Sequence, residues 1–256
     1  MFIPSHPDIY DSIGDGYGSN RVADPRIYAV IRSALEGCRT VVNIGAGVGS
    51  YEPEDLQVTA VEPSSRMIEQ RLSKSRVVQA VAEELPIQDL AFDASMAVLT
   101  VHHWTDPGKG LSEMARVSRR QVIFTFDPDI AFSFWLMRDY FPGLIETDVD
   151  RSVSIDAIKS ALGEVDIRTV NVPRDCTDGF LAAYWRRPER YLVQSIRNSI
   201  STFSQIDDRA IQPGIEALQE DLRSGAWNRK YADLLERDEL DCGYRLIIAG
   251  DRQCLA

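Results

Sequence analysis

The sequence predicts an α/β protein, a doubly wound, mostly parallel sheet with a helical cap inserted before the last strand. Three observations lead there. Five short, nearly all-apolar runs, "TVVNIG", "VTAVE", "RVVQAV", "ASMAVLTV" and "QVIFTF", read as strands covered on both faces. Segments with helical apolar spacing lie between them, the alternation that builds parallel sheets through crossover connections. A long helical and loop-rich stretch then separates "VDIRTVNV" from a last strand, "YRLIIAG". It is too long for a turn and is sized to cover the sheet's ligand edge.

The first helix is "DPRIYAVIRSALEG". Asp24 offers an N-cap, Pro25 sits in the first turn, Ile27, Val30, Ile31 and Leu35 share a face, and Gly37 stops it. Helical spacing recurs in "SSRMIEQRL" at Met67, Ile68 and Leu72, and in "PGKGLSEMARVSR" at Leu111, Met114 and Val117. Beyond Asp127, "DIAFSFWLMRDYF" reads as one apolar, aromatic helix and "SIDAIKSALG" as another. The stripe Phe132, Phe134, Trp135, Met137 and Phe141 is either ordinary helix burial or the apolar wall of a substrate pocket. Its position after the fifth strand, at the ligand edge, favours the wall.

Composition narrows the function. The chain has 256 residues, 44% hydrophobic and 26% charged, enough for one large core with elaborations. A formal charge of -11 would repel a phosphate backbone, so nucleic acid is not expected as a partner. The opening "MFIPSHPDIY" has no basic segment followed by an apolar one, and no apolar run approaches the roughly 20 residues that span a bilayer. A soluble, cytoplasmic protein without a membrane partner is expected. Cys38, Cys176, Cys242 and Cys254 are scattered, which suggests neither a disulfide framework nor a metal site.

The chemistry is concentrated in "VVNIGAGVGSYEPEDLQVTAVEPS", Val41 to Ser64. A glycine turn at the carboxyl end of the first strand, Gly45 and Gly47, lets backbone approach a ligand closely. Glu62, at the end of the second strand, can accept both hydroxyls of a ribose. That much suits NAD and S-adenosylmethionine equally. A dinucleotide site, however, wants a third glycine at the mouth of a full helix facing the pyrophosphate. Here Ser50 stands in that place, and only "SYEPEDLQ", with Pro53 inside it, leads to the next strand. Such a crossover has room for one helical turn, short of the usual parallel connection. A sulfonium cation with an amino acid tail needs no helix dipole.

These residues resemble the class I S-adenosylmethionine-dependent methyltransferases, in particular the small-molecule group of the ubiquinone-biosynthesis type. The resemblance rests on "VVNIGAGVG", "VEPSSRM", "AVAEELPIQDLAFDASMAVLTVHHW" and "LSEMARVSR" in that order and spacing, and covers about Tyr10 to Asp127. It implies a seven-stranded, Rossmann-like sheet and S-adenosyl-L-methionine as cofactor. Carried over by position, Asn43, Gly45, Ala46 and Gly47 would meet the methionine part of the cofactor, Glu62 the ribose, and Pro63 and Met67 the adenine. Asn43 stands where the family often has Asp, and Met67 is equally well read as core. Val81 replaces an Asp that many relatives aim at the adenine amino group, so the backbone of Ala82 or the side chain of Glu83 would serve instead. Thr100 would offer its main chain to the cofactor's amino group. The start of the chain looks like the family's mobile lid, with Tyr10 or Tyr17 covering the cofactor and Arg21 meeting its carboxylate. The boundaries implied are a lid over 1–22, a cofactor-binding core over 23–128, the remaining core with its substrate-facing helix over 129–174, a cap over 175–241 and a closing strand over 242–256.

Methyl transfer from a sulfonium is an in-line displacement, so the protein's main tasks are alignment and exclusion of water. A base is needed only where the nucleophile must lose a proton. His103, His102 and Asp127 are the titratable groups expected on the transfer side, though one of two adjacent histidines is expected to point away. Trp104 is expected as packing beneath the fourth strand. The acceptor is expected to be a partly apolar small molecule. Arg186, Arg187 and Arg190 either attract an acidic one or cover a helix end. A cofactor-binding protein without transferase activity stands as the alternative, with a nicotinamide-dependent oxidoreductase behind it.

Overall fold

The computed structural model describes residues 21–71 and 73–251. Tyr10 and Tyr17 lie outside those residues. The chain runs α1 (Pro25–Ala34), β1 (Thr40–Ile44), β2 (Gln57–Val61), α2 (Ser65–Glu69), β3 (Arg76–Val78), β4 (Phe92–Val98), α3 (Pro107–Val117) and β5 (Ser118–Phe126). It continues with α4 (Pro128–Ala131), α5 (Trp135–Asp139), α6 (Gly143–Val149), α7 (Ile155–Leu162), β6 (Val165–Thr169) and β7 (Val172–Pro173). Short turns of 3-10 helix and α8 (Gln194–Asn198), α9 (Asp208–Ser224) and α10 (Ala226–Lys230) lead to β8 (Glu239–Leu240) and β9 (Tyr244–Gly250).

Seven of the strands form one sheet in the order β3-β2-β1-β4-β5-β9-β6. The first five pair in parallel, and β9 slots antiparallel between β5 and β6. The sequence order reverses across β1, where Asn43 pairs with Ala60 on one side and Met96 on the other. Open α/β sheets hold ligands outside the carboxyl end of such a reversal point. Buried apolar residues form two clusters. One joins the inner face of α1 (Ile27, Ile31) to the cap aromatics; the other joins α3 and α7 to Val42, Ile44 and Ile247.

Some details depart from the expectations drawn from sequence. The crossover from Ser50 to Leu56 contains turns but no helical turn. The apolar helix expected over "DIAFSFWLMRDYF" is two helices, α4 and α5, because Phe134 takes an extended backbone (φ -57°, ψ 129°) between them. Phe132, Phe134 and Met137 thereby face one cavity, while the Trp135 indole turns to the cap and donates to the Trp185 carbonyl at 3.0 Å. "VDIRTVNV" is likewise divided: β6 stays in the main sheet and β7 leaves it to pair with β8. Cys176 and Cys242 are buried free thiols.

Asp24 ties α1 to the start of the cap. Its carboxylate accepts from the Arg26 amide at 2.9 Å, from the Arg26 guanidinium at 2.9 and 2.7 Å, and from the Thr177 amide at 3.1 Å. Burial alone would raise this carboxyl. The hydrogen bonds from Arg26 and Thr177 outweigh burial and hold it at about 2, below its ordinary 3.8. A depressed carboxyl stabilises the fold above its unfolded pKa and loses that contribution as pH falls through the folded value. Asp24→Asn is therefore expected to lower stability at pH 7 by about 2 kcal/mol. The gap between variant and wild type should close between about pH 4 and pH 2 in urea titrations; a gap independent of pH would refute this role.

Candidate active site

Where β1 ends, Gly45, Gly47 and Gly49 have φ of +67°, +52° and +86°. This left-handed turn folds the loop onto β2: the amides of Gly45 and Ala46 both donate to the Val61 carbonyl, at 2.9 and 3.0 Å. A Cβ on Gly45 would lie 2.1 Å from Thr100 Oγ1, so the loop is in contact with the end of β4. A Cβ on Gly47 would meet no described atom within 4 Å. Glu62, 4% exposed, accepts from the Gly47 amide at 2.7 Å and the Ser64 amide at 3.0 Å. Two backbone donors thus set the orientation of the carboxylate beneath the loop.

Behind the loop lies a buried ionic network with no counterpart among the expectations from sequence. The Asn43 amide donates to Glu52 Oε1 at 3.0 Å. Arg71 donates to both Glu52 oxygens at 2.6 Å and to the Gly47 carbonyl at 2.9 Å, and the Ser75 hydroxyl adds a bond to Glu52 Oε2 at 2.8 Å. The side chains of Arg71 and Glu52 are only 3% and 4% exposed. Glu52 comes from the helix-free crossover and Arg71 from the turn after α2, so their pairing carries no periodic signal. Asn43 Oδ1 is buried and has no hydrogen-bond partner among the described residues.

Every expected cofactor residue within the described chain lines one cavity: Arg21, Asn43, Gly45, Ala46, Gly47, Glu62, Pro63, Met67, Val81, Ala82, Glu83 and Thr100. Met67 is 1% exposed, so core and cavity wall are both correct descriptions. Trp104 also does both, packing over Gly110 and bordering the cavity. The side chain of Glu83 accepts from the Asp106 amide at 3.0 Å. Leu99, unmarked by any sequence signal, borders the cavity with φ +51°. A left-handed conformation at a branched residue costs energy and tends to occur at functional sites.

A second cavity adjoins the first, and Arg21, Leu99 and His103 border both. His102 also lines the second cavity, so neither histidine points away; their rings lie 4.0 Å apart by centroid. Asp127 is the exception among the candidate bases. It borders neither cavity and accepts from the Asp129 amide at 3.2 Å as the N-cap of α4. Arg21 donates to Asp178 at 2.8 Å, and the Tyr51 hydroxyl donates to the other Asp178 oxygen at 2.8 Å. The cap thereby grips the segment that opens the described chain. Burial, with Asp178 alongside, pushes the Tyr51 hydroxyl well above its usual range and keeps it a donor. Arg186, Arg187 and Arg190 border neither cavity. Arg186 donates to the Arg237 and Leu235 carbonyls, Arg187 to those of Cys176 and Ala183, and Arg190 lies over the Tyr184 ring. Their contacts lie within the cap.

A family model described as a methyltransferase domain matches residues 42–126. A putative methyltransferase from an antibiotic biosynthesis pathway of Anabaena variabilis has a crystal structure that is 34% identical to this chain. The superposition covers 91% of this chain and 99% of that one, with a TM-score of 0.83. The chain belongs to the class I S-adenosylmethionine-dependent methyltransferases. An uncharacterised methyltransferase of Mycobacterium bovis is 34% identical over 88 residues, 32% of this chain and 36% of that protein. The chain thus spans about a third of the length of the curated relatives it matches. The fold is shared with a [4+2]-cyclase, SpnF, at 16% identity, a TM-score of 0.54 and 98% coverage of each chain.

The methyl donor of the family is S-adenosylmethionine, and the first cavity fits it. Gly47 leaves open the space that a Cβ would fill, and Asn43 Oδ1 is a buried acceptor with no partner among the described residues. The helix-free crossover offers no helix N-terminus to the pyrophosphate of a dinucleotide.

Proposed function

We propose that this chain transfers a methyl group from S-adenosylmethionine to a small molecule held in the second cavity. The observation that carries this reading is the shared wall: Arg21, Leu99 and His103 border both cavities. Donor and acceptor groups then meet away from bulk water, and such alignment supplies on the order of 7 to 11 kcal/mol of barrier reduction. When bound, the cofactor supplies an electrophilic methyl carbon on sulfur. Asn43, Gly45, Ala46, Gly47 and the main chain of Thr100 would hold its methionine part, Glu62 its ribose, and Pro63, Met67, Ala82 and Glu83 its base. Arg21, already paired with Asp178, acts as a latch between lid and cap more than as a partner for a carboxylate. His103, on the wall between the cavities, would take the proton of an acceptor nucleophile that carries one, with the His102 ring packed against it.

Titration calorimetry with the demethylated cofactor, S-adenosylmethionine and NAD, followed by mass spectrometry of a metabolite extract incubated with enzyme and S-adenosylmethionine, tests the reading. Binding of both sulfur nucleosides and not NAD, with a product 14 mass units heavier, is the expected result. Binding without any product would instead make this a cofactor-binding protein. Glu62→Gln should weaken the demethylated cofactor by about 10- to 150-fold, since a hydrogen bond to a charged acceptor contributes roughly 1.5–3 kcal/mol. An unchanged affinity would remove Glu62 from the site.

A further inference from the structure

The charged groups on the wall of the second cavity are already matched within the protein. Arg21 is paired with Asp178 at 2.8 Å. On another part of the wall, Asp148 accepts from the Arg151 guanidinium at 2.5 Å and from the Thr202 hydroxyl at 2.9 Å. Asp148 and Thr202 are 6% and 5% exposed, and no other side-chain donor among the described residues bonds the Asp148 carboxylate. A carboxylate offers about four acceptor positions, so these two bonds leave it capacity toward the cavity it borders. The rest of the wall is largely apolar and aromatic, with Phe126, Phe132, Phe134, Phe180 and Met137. Burial pushes the Asp148 carboxyl above its usual range, although Arg151 and Thr202 pull it back.

We infer that the methyl acceptor is a neutral, ring-bearing apolar molecule whose hydroxyl donates to Asp148. This rests on the proposed function and adds the chemical class of its substrate. The phenylalanines supply flat apolar contact, which favours rings over chains. An anionic acceptor would meet the Asp148 carboxylate, while Arg21 is already paired with Asp178 and Arg151 borders neither cavity. A cationic acceptor would bring a second positive charge beside Arg151, where Asp148 is already neutralised. A neutral hydroxyl satisfies the remaining acceptor capacity without leaving a buried charge unmatched.

The test uses the full chain saturated with demethylated cofactor and four matched probes: naphthalene, 2-naphthol, 2-naphthoate and 2-naphthylmethylammonium. Their binding is read by calorimetry and by saturation-transfer NMR. The naphthol is expected to bind about tenfold or more tightly than the other three. Asp148→Asn should erase the naphthol's advantage and improve the naphthoate, because Arg151 would then be an unmatched cation. Thr202→Val, which frees an Asp148 acceptor position and keeps the charge pair, should leave naphthol binding equal or tighter. It keeps the test decisive should Asp148→Asn fail to fold. Tightest binding by naphthoate or the ammonium probe, no binding by any probe, or naphthol affinity lost in Thr202→Val would each overturn the inference. Affinity for the demethylated cofactor is measured in the same samples. If that affinity is absent, the proposed function itself falls; if it is intact while the probe order is wrong, only the acceptor class falls.

Discussion

Gly47→Ala is expected to leave the fold standing and to remove most of the cofactor affinity, whereas Gly45→Ala is expected to damage the fold itself. Both glycines have positive φ, at +52° and +67°, so any Cβ costs roughly 1–2 kcal/mol in backbone conformation. What differs is what the Cβ meets. At Gly45 it would lie 2.1 Å from Thr100 Oγ1 and 2.9 Å from Thr100 Cβ, between β1 and the end of β4 at the reversal point of the sheet. Relieving that contact adds an overpacking cost of about 1–3 kcal/mol, for a total of roughly 2–5 kcal/mol. At Gly47 it meets no described atom within 4 Å and projects into the first cavity. Urea unfolding and calorimetry with the demethylated cofactor separate the two. Gly47→Ala should unfold within about 2 kcal/mol of wild type and bind the nucleoside at least about tenfold more weakly. Equal stability losses in the two variants would show that the two glycines are not placed as described.

Arg71→Met is expected to destabilise the protein by about 3–5 kcal/mol, the usual cost of leaving one member of a buried ion pair without the other. Glu52 would keep only the Asn43 amide and the Ser75 hydroxyl, and the Gly47 carbonyl would lose its donor. The double variant Glu52→Gln with Arg71→Met should recover much of the stability, because a buried pair replaced as a whole is close to neutral. Its cofactor affinity should stay low, since the carbonyl of Gly47 is no longer held. A double-mutant cycle by urea unfolding measures the coupling; a single-variant cost near zero would mean that the network is not buried in solution.

Much of the first cavity is legible in the amino-acid sequence alone. The glycine turn, the acidic residue after the second strand and Met67 three positions beyond Ser64 are local features, each set by backbone conformation or helix spacing within a few residues. Once β1 and β2 are adjacent and parallel, they must share one edge. The same locality explains the correct reading of Asp24, whose capping bonds to Arg26 span two residues. Legibility fails where partners come together only through the fold. Glu52 and Arg71 are 19 positions apart, Arg21 and Asp178 are 157 apart, and Thr202 and Asp148 are 54 apart. Asp127 shows the converse: its position after β5 suggests chemistry, while its side chain caps the start of α4 and borders neither cavity.

The sequence by itself determined the α/β class, the strands of the main sheet, the glycine loop and the kind of nucleoside it suits, because apolar periodicity, turn residues and the short crossover act over short stretches of chain. Only the tertiary structure decided which charges are free to meet a ligand. It paired Arg21 with Asp178 and Arg151 with Asp148, turned Arg186 and Arg187 onto cap carbonyls, and brought both histidines to one cavity. The physical reason is that a charge's role depends on its nearest opposite charge and its access to water, and packing sets both.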